Sequence, residues 1–467
     1  MHNNRPAHKM GRRRRINSKT NSNNREKIAL QLLYIFPSRC AKSNYSDLGR
    51  GMSTHSKNIL LIATFDTKGE ETEYVKKIIE GMGHKVILAD IGVLDEPQIK
   101  ADISRHEIAK AAGSSLDSLV SKRDEGKASE VMAEGLAKIA KKLCEGGKIA
   151  GVIAIGGSFG TATASAVMRA LPVGVPKVMV STMASRDVRP YVGTKDIAMI
   201  HSVTDIFGLN RISRKILANA AGAIVGMANV TVPSEIAEKP LVGISLTGEQ
   251  FLLAKRIKKT LEDKGFEVVL FHAVGSGGKS LEELVREGEI DGGVIDLAIQ
   301  EIYSNLFDPG GMFDAGPDRL ESAGEFGLPH VIVPGCADFM SFPTGQVPPR
   351  FKGHKMHMHN PALVVVKTEK GEVLKLAESI SEKINKGKGP RAVIIPAQGF
   401  SRYDKPGHPA GFYDPVTREV FIAELRKRLI PDVRYVEVNA HVNDPEFADV
   451  ITKVFLELVK EYKHHEV

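Results

Sequence analysis

Tryptophan is absent from this 467-residue chain, and aromatic side chains make up only 6% of it. That disfavours a lectin-like or base-stacking surface, where flat rings supply the contact. No apolar run approaches the roughly 20 residues that cross a bilayer, so no membrane partner is expected. Cysteine occurs three times, at Cys40, Cys144 and Cys336, far apart and never as CxxC. This argues against a disulfide framework and a zinc knuckle, and for a reducing compartment, the cytoplasm. The reading also finds no nucleophile elbow, HExxH or Cys–His signature, so the residues name no reaction.

The formal charge of +8 is unevenly placed. Residues 1–51 hold twelve Lys/Arg, including Arg12 to Arg15, against two acids, Glu26 and Asp47. That segment is about +10 and the remainder about −2, so only the tail is basic and a nucleic-acid partner is expected nowhere else. Residues 1–56 are read as a basic, disordered extension. Three readings of it stand: true initiation at Met52, an organelle-targeting segment, or an arm for nucleic acid or a membrane surface.

From Lys57 onward, short apolar runs alternate with longer amphipathic segments, the signature of a parallel β/α architecture. "NILLIATF" (58–65) reads as a buried strand, "EETEYVKKIIEGMG" (70–83) as a helix stopped by Gly83, and "KVILADIG" (85–92) as the next strand. "AGVIAIGG" (150–157) and "KVMVST" (177–182) continue the series. Residues 240 onward repeat the plan. "PLVGISLTGEQ" matches the first strand and turn, "GEIDGGVIDLA" aligns with "GKIAGVIAIGG", and "FGLPHVIVPGCAD" aligns with "VGVPKVMVSTMAS". The expectation is α/β: two Rossmann-like parallel-sheet domains, residues 57–232 and 233–467, with a cleft between them.

Two glycine-rich stretches compete as anion sites. "GSGGKS" (275–280) resembles an ATP-binding P-loop, but Ala273 stands where the pattern wants its first glycine. A glycine-rich loop lining the interdomain cleft is the expectation there, with Asp296 only mimicking the acid of a P-loop protein. The other stretch, Gly156-Gly157-Ser158-Phe159-Gly160-Thr161, lies between a buried strand and an Ala-rich helix, where open parallel sheets bind ligands. Glycine lets a backbone approach an anion, and the following helix offers N–H groups and its dipole. The bland alternative is a plain strand–helix turn.

Asp66, Thr67 and Lys68 leave the first strand on the same side. Lys68 could neutralise a phosphate and Asp66 could hold a metal or a ribose hydroxyl; alternatively, Thr67 and Glu70 form a capping box. Ser181, Thr182 and Met183 end the fourth strand at that edge. Residues 181–214, with Asp196, His201, Asp205, Asn210 and Arg211, read as a buried cleft lining or a packed contact. His357 and His359 share a face if extended, as a metal pair could, with His441 more distant. Asp444 with Pro445 reads as a helix start.

These residues resemble the ATP-binding domain family typified by the tomato mosaic virus resistance protein. "IATFDTKGEE", "AIGGSFGTATASAVMRALPVGVPKVMVSTMAS", "YVGTKDIAMIHSVTDIFGLNRISRKILANAAGAIVGM", "FHAVGSGG", "HNP" and "HVNDPEFA" carry the resemblance, over roughly residues 57–463. It implies two Rossmann-like subdomains, ATP bound mainly by the first, and dimerisation or higher self-association. The nucleotide, with Mg²⁺, would meet Asp66, Thr67, Lys68, Gly156, Gly157, Ser158, Gly160, Thr161, Ser181, Thr182, Met183 and Asn210. At "GISLTGEQ" the chain departs from the Thr-rich turn of relatives. The expected function is ATP binding, with no specific reaction named. Two other readings remain open: a metal-dependent enzyme with its site in the second domain, and a non-enzymatic interaction module regulated by ATP.

Overall fold

A computed structural model describes residues 56–230 and 239–465. The N-terminal extension, with the three readings attached to it, lies outside the described residues. Among the described residues there are fourteen strands. The first domain holds β1 (Asn58–Ala63), β2 (Lys85–Asp90), β3 (Gly151–Gly156), β4 (Lys177–Ser181) and β5 (Ala198–His201). The second holds β6 (Leu241–Leu246), β7 (Glu267–His272), β8 (Gly293–Asp296), β9 (His330–Ile332), β10 (Phe339–Pro343), β11 (Met356–Asn360), β12 (Leu363–Lys367), β13 (Arg391–Pro396) and β14 (Arg434–Val438).

The first sheet is parallel throughout, in the order β2-β1-β3-β4-β5. Its strands are nearly unbroken apolar runs because helices cover both faces. Leu60, Ile62, Val152, Ala154 and Met179 face one core. Ile59, Leu61, Ile153, Ile155, Val178 and Val180 face the other, against the helix Arg211–Asn229. The alternation is the two-residue period of a pleated strand.

The second sheet is also parallel, in the order β14-β13-β9-β8-β6-β7. In chain order its first five strands follow the same 2-1-3-4-5 arrangement as the first sheet. The internal repeat read in the sequence is thus a repeat of topology. Two elements were not anticipated. The edge strand β5 is short and half-exposed, so its apolar signal is weak. A three-stranded antiparallel sheet, β10-β12-β11, is inserted between the fourth and fifth strands of the second domain. The C-terminal helix Pro445–His465 seals the second core with Phe447, Ile451, Phe455 and Leu458.

Two polar contacts join the domains. The Thr194 hydroxyl donates to Glu283, and the Lys195 ammonium pairs with Glu287. Both acids lie on or beside the helix Ser276–Arg286.

Candidate functional site

In both sheets the strand order reverses once. In the first, β1 lies between β2 and β3, so the crevice between β1 and β3 opens at the carboxyl ends of these strands. Ligands bind at such switch points in open α/β sheets. The turns bordering this one are Thr64–Lys68, after β1, and Gly156–Ser158, after β3.

Why the second turn is rich in glycine differs from position to position. A Cβ at Gly156 would lie 2.7 Å from the Gly160 carbonyl carbon and 2.8 Å from the Thr161 nitrogen, so Gly156 lets helix and strand approach. A Cβ at Gly157 would meet nothing within 4 Å, and its φ of −78° is open to any residue. Neither sterics nor backbone conformation requires glycine there. Its use fits a backbone left bare for something to approach from outside.

Helix capping supports the same place. The first turn of any helix leaves four N–H groups without an intrahelical partner. In the first domain, the helices starting at Arg105, Leu116, Glu125 and Arg211 are capped by the side chains of Ser104, Ser115, Asp124 and Asn210. The helices Gly69–Gly81 and Ser158–Arg169, whose N-termini flank the switch point, have no side-chain cap. Glu70 and Glu71 stand in the first turn of the former and disfavour an anion there. The first turn of Ser158–Arg169 has no acidic residue. That helix end is the one electrostatically suited to a phosphate.

The remaining candidates sort by geometry. Thr161 and Ser181 are fully buried, with hydroxyls 2.6 Å apart, and tie the glycine turn to β4. Ser181 Oγ also accepts from the Met183 N–H at 2.9 Å, and the Thr182 N–H points at the Gly156 carbonyl at 3.4 Å. These residues position the turn. Ser158 is exposed and Gly160 buried. Thr67 and Lys68 are half-buried. Thr67 bonds to Thr64, hydroxyl to hydroxyl at 2.8 Å, and Lys68 is the N-cap residue, so the Thr67–Glu70 capping box does not form.

Asp66 turns toward the loop after β2. Its Oδ2 accepts from the Leu94 N–H at 2.9 Å, while its Oδ1 is buried without a partner. That orphaned oxygen suits a metal or a hydroxyl donor. Asn210 accepts from the N–H groups of Ile212 and Ser213 at 2.8 and 3.0 Å, so its side-chain oxygen is occupied as a cap.

Other expectations are corrected. Asp196 lies beside the start of β4, at the opposite edge of the sheet. It bonds the buried Lys177 ammonium at 2.8 Å and the Gly174 N–H at 2.8 Å, away from any phosphate on Gly157. Residues 181–214 are not a buried lining: Arg186, Asp187 and Asn210 are exposed, and Phe207 is 84% exposed. Sequence reading also passed over the fact that Gly156–Gly160 spells GxSxG. Ser158 opens a helix and has no positive φ, so the sharp turn of a nucleophile elbow is absent.

The "GSGGKS" loop is filled from within. Glu301 Oε1 accepts the N–H groups of Gly275 and Gly278 at 2.7 and 3.0 Å. A Cβ at Gly278 would fall 2.0 Å from Glu301 Oε2. The loop therefore cradles a carboxylate of its own chain and lines no ligand space. Glu301 is anchored in turn by Arg319, 1% exposed, which also binds Glu282 at 3.0 Å and pairs with Asp296. Asp296, bonded as well to His330 at 2.8 Å, is an internal ion-pair member. Arg319 and His330 hold its carboxyl well below the usual range despite complete burial. Burial pushes that of Glu301 up.

His441 does not join His357 and His359 in a metal site. His441 Nε2 lies 2.9 Å from the Ser401 carbonyl, and its Nδ1 accepts the Asn443 N–H at 3.2 Å. Both ring nitrogens are engaged by backbone. Among the described residues no group of three or more His, Cys, Asp or Glu is placed to hold a metal. None of the described helices is long and apolar enough to cross a membrane.

Fold and edge geometry define a two-domain, Rossmann-like α/β protein with a bare helix N-terminus at its first switch point. The chain belongs to the uncharacterised protein family UPF0261: residues 57–233 match its N-terminal domain and residues 239–459 its C-terminal domain. A UPF0261 protein of Clostridium tetani is 42% identical over 407 residues, covering 87% of this chain and all of that one. The ToMV resistance protein Tm-1(GCR237) of Solanum lycopersicum is 31% identical over 441 residues, covering 88% of this chain and 57% of that protein. Among solved structures, a UDP-N-acetylglucosamine 2-epimerase from Rickettsia bellii aligns at 11% identity over 88% of this chain and 98% of that one, with a TM-score of 0.21.

Proposed function

We propose that the first domain binds a nucleoside triphosphate, ATP, with its phosphates on the turn Gly156–Gly160 at the start of the helix Ser158–Arg169. One observation carries this reading: at the switch point between β1 and β3, that helix start lacks both a side-chain cap and a first-turn acid, and it is preceded by a glycine that no internal contact requires. Backbone N–H groups aimed at an anion, reinforced by the helix dipole, contribute about 0.3–2 kcal/mol beyond the hydrogen bonds themselves. Lys68, half-buried on the neighbouring turn, supplies the compensating positive charge.

Mg²⁺ accompanies the triphosphate and neutralises part of its charge. Asp66, through its unpartnered Oδ1, is the residue suited to it or to a ribose hydroxyl. Thr161 and Ser181 hold the turn in shape from behind, and Thr182 and Met183 border it from β4.

The test is calorimetric titration of Mg·ATP into the full chain and into Gly157→Val. A Cβ at this position meets nothing within 4 Å beyond its chain neighbours, so the variant should fold, at a cost of about 1 kcal/mol for valine's poorer fit at an N-cap. Its branched side chain occupies the approach to the N–H groups, and binding should weaken by at least about tenfold. Equal affinity in the two proteins contradicts the assignment.

A further inference from the structure

The carboxyl-terminal edge of the second sheet gathers polar groups that the nucleotide reading does not use. Glu249 follows β6, Cys336 and Asp338 follow β9, and Arg402 and Tyr403 follow β13. His359 and His357 project from the inserted strand β11, and His408 from the loop beyond β13. Arg402 joins them. Its Nε lies 3.0 Å from Glu249 Oε1, and its Nη2 lies 3.2 Å from the Tyr403 hydroxyl and 3.3 Å from His359 Nδ1. The Tyr403 hydroxyl is 2.8 Å from the same His359 nitrogen. The rings of His357 and His408 pack on Tyr403, with centroids 5.7 and 5.2 Å away.

Three features set this cluster apart from a solvated surface. Glu249 has a side chain only 8% exposed, and its Oε2 is buried without a hydrogen-bond partner. Asp338 Oδ1 is likewise buried and unpartnered. Native proteins rarely leave such oxygens unsatisfied. Cys336, between them in the fold, adopts a φ of +63°, which a non-glycine residue takes up at a cost and which concentrates at functional sites. Above this buried floor, Arg402 and His359 are exposed, so the cluster is open to solvent.

The hydrogen bonds also fix a protonation pattern. His359 Nδ1 faces donors on both sides, the Arg402 N–H and the Tyr403 O–H, so it accepts and the neutral ring carries its proton on Nε2. Burial and the Arg402 charge keep that ring below the usual imidazole range. The only formal cation among these groups is Arg402, already shared with Glu249. Nε of Arg402 is taken by Glu249 and Nη2 by Tyr403 and His359, which leaves Nη1 for a further acceptor, and Glu249 Oε2 has no donor.

We propose that this edge is a second small-molecule site and that it takes a compact hydroxy-carboxylate, its carboxylate on Arg402 Nη1 and its hydroxyl donating to Glu249 Oε2, which turns outward to receive it. A guanidinium N–H gives a carboxylate a charge-assisted hydrogen bond, and Nη1 is the group left to do so. An acid without a hydroxyl would leave Glu249 Oε2 unsatisfied. The site is separate from the nucleotide turn, and its test requires no ATP.

The experiment uses the full chain with ¹⁵N-labelled histidine, following the imidazole signals while glycolate, malate, gluconate or succinate is added against sodium chloride at matched ionic strength. Malate should shift the His359 ring along a saturating curve at millimolar concentration. Malate should bind at least about tenfold more tightly than succinate, which lacks the hydroxyl. The double variant Arg402→Gln/Glu249→Gln, which removes both charges so that neither is left alone, should weaken malate binding by about tenfold or more. The proposal is overturned if malate does no more than sodium chloride, if succinate equals malate, or if the folded double variant binds as the parent does. Should the double variant fail to fold, the malate–succinate comparison on the parent decides alone.

Discussion

Two adjacent glycines make opposite demands. A methyl at Gly156 would press on the Gly160 and Thr161 backbone at 2.7–2.8 Å, whereas one at Gly157 meets open space. Gly156→Ala should therefore lower stability by about 1–3 kcal/mol, the usual cost of overpacking. Gly157→Ala should leave stability within about 0.5 kcal/mol. Urea unfolding of both variants checks the contrast, and equal losses would refute it. Arg319 is a second decisive residue, since it alone links Glu282, Asp296 and Glu301 in the second core. Arg319→Met would remove the cation shared by three buried carboxylates, of which Asp296 keeps the His330 ring as a partner, a loss of about 3–5 kcal/mol. A melting temperature unchanged from the parent would contradict that role.

Asp338 gives a pH dependence at the same scale. Burial first, then the neighbouring Asp404 carboxylate, pushes its carboxyl up to about 8, although the Ser401 hydroxyl at 2.6 Å opposes this. The unfolded chain releases that proton near 3.8. Between these values the native state holds a proton that the unfolded state has lost, so this group lowers stability as pH rises. Asp338→Asn, which does not titrate, should gain on the parent progressively from about pH 4 to about pH 8. Chemical denaturation across that range tests the sign; a constant difference would mean Asp338 does not titrate there.

At the level of elements, the sequence made the buried strands legible because helices cover both faces, so β1, β3 and β4 appear as continuous apolar runs with clean ends. It also exposed the internal repeat, since matching strand–turn–helix segments recur in order. It did not reveal β5, whose half-exposed residues lack that contrast, nor the sheet β10-β12-β11, which breaks the repeat. The glycine turn after β3 was legible as a candidate site, but the distinction between Gly156 and Gly157 was not. Nor was the filling of the "GSGGKS" loop by Glu301, a residue 23 positions beyond Gly278, because long-range side-chain pairing leaves no local pattern. The cluster around Arg402 escaped for the same reason: its members come from four separate loops and strands. His357 and His359 were visible as a pair, but Tyr403 and Glu249, which give the pair its setting, were not.

At the scale of the whole molecule, two sheets of like topology have diverged at their edges. The first keeps a bare helix start after its third strand. In the second, the equivalent turn carries no glycine, and the helix that begins there supplies Glu301, whose carboxylate fills the glycine loop that follows β7. Where we propose an anion from outside in the first half, the second holds an internal carboxylate, which is why the proposed triphosphate is assigned to the first domain. The central claim is tested most directly by a crystal structure of the full chain soaked with ATP and Mg²⁺. The account predicts phosphate oxygens within hydrogen-bonding distance of the N–H groups of Ser158 to Gly160. Nucleotide seated on the Gly275–Gly278 loop instead, with Glu301 displaced, would contradict it.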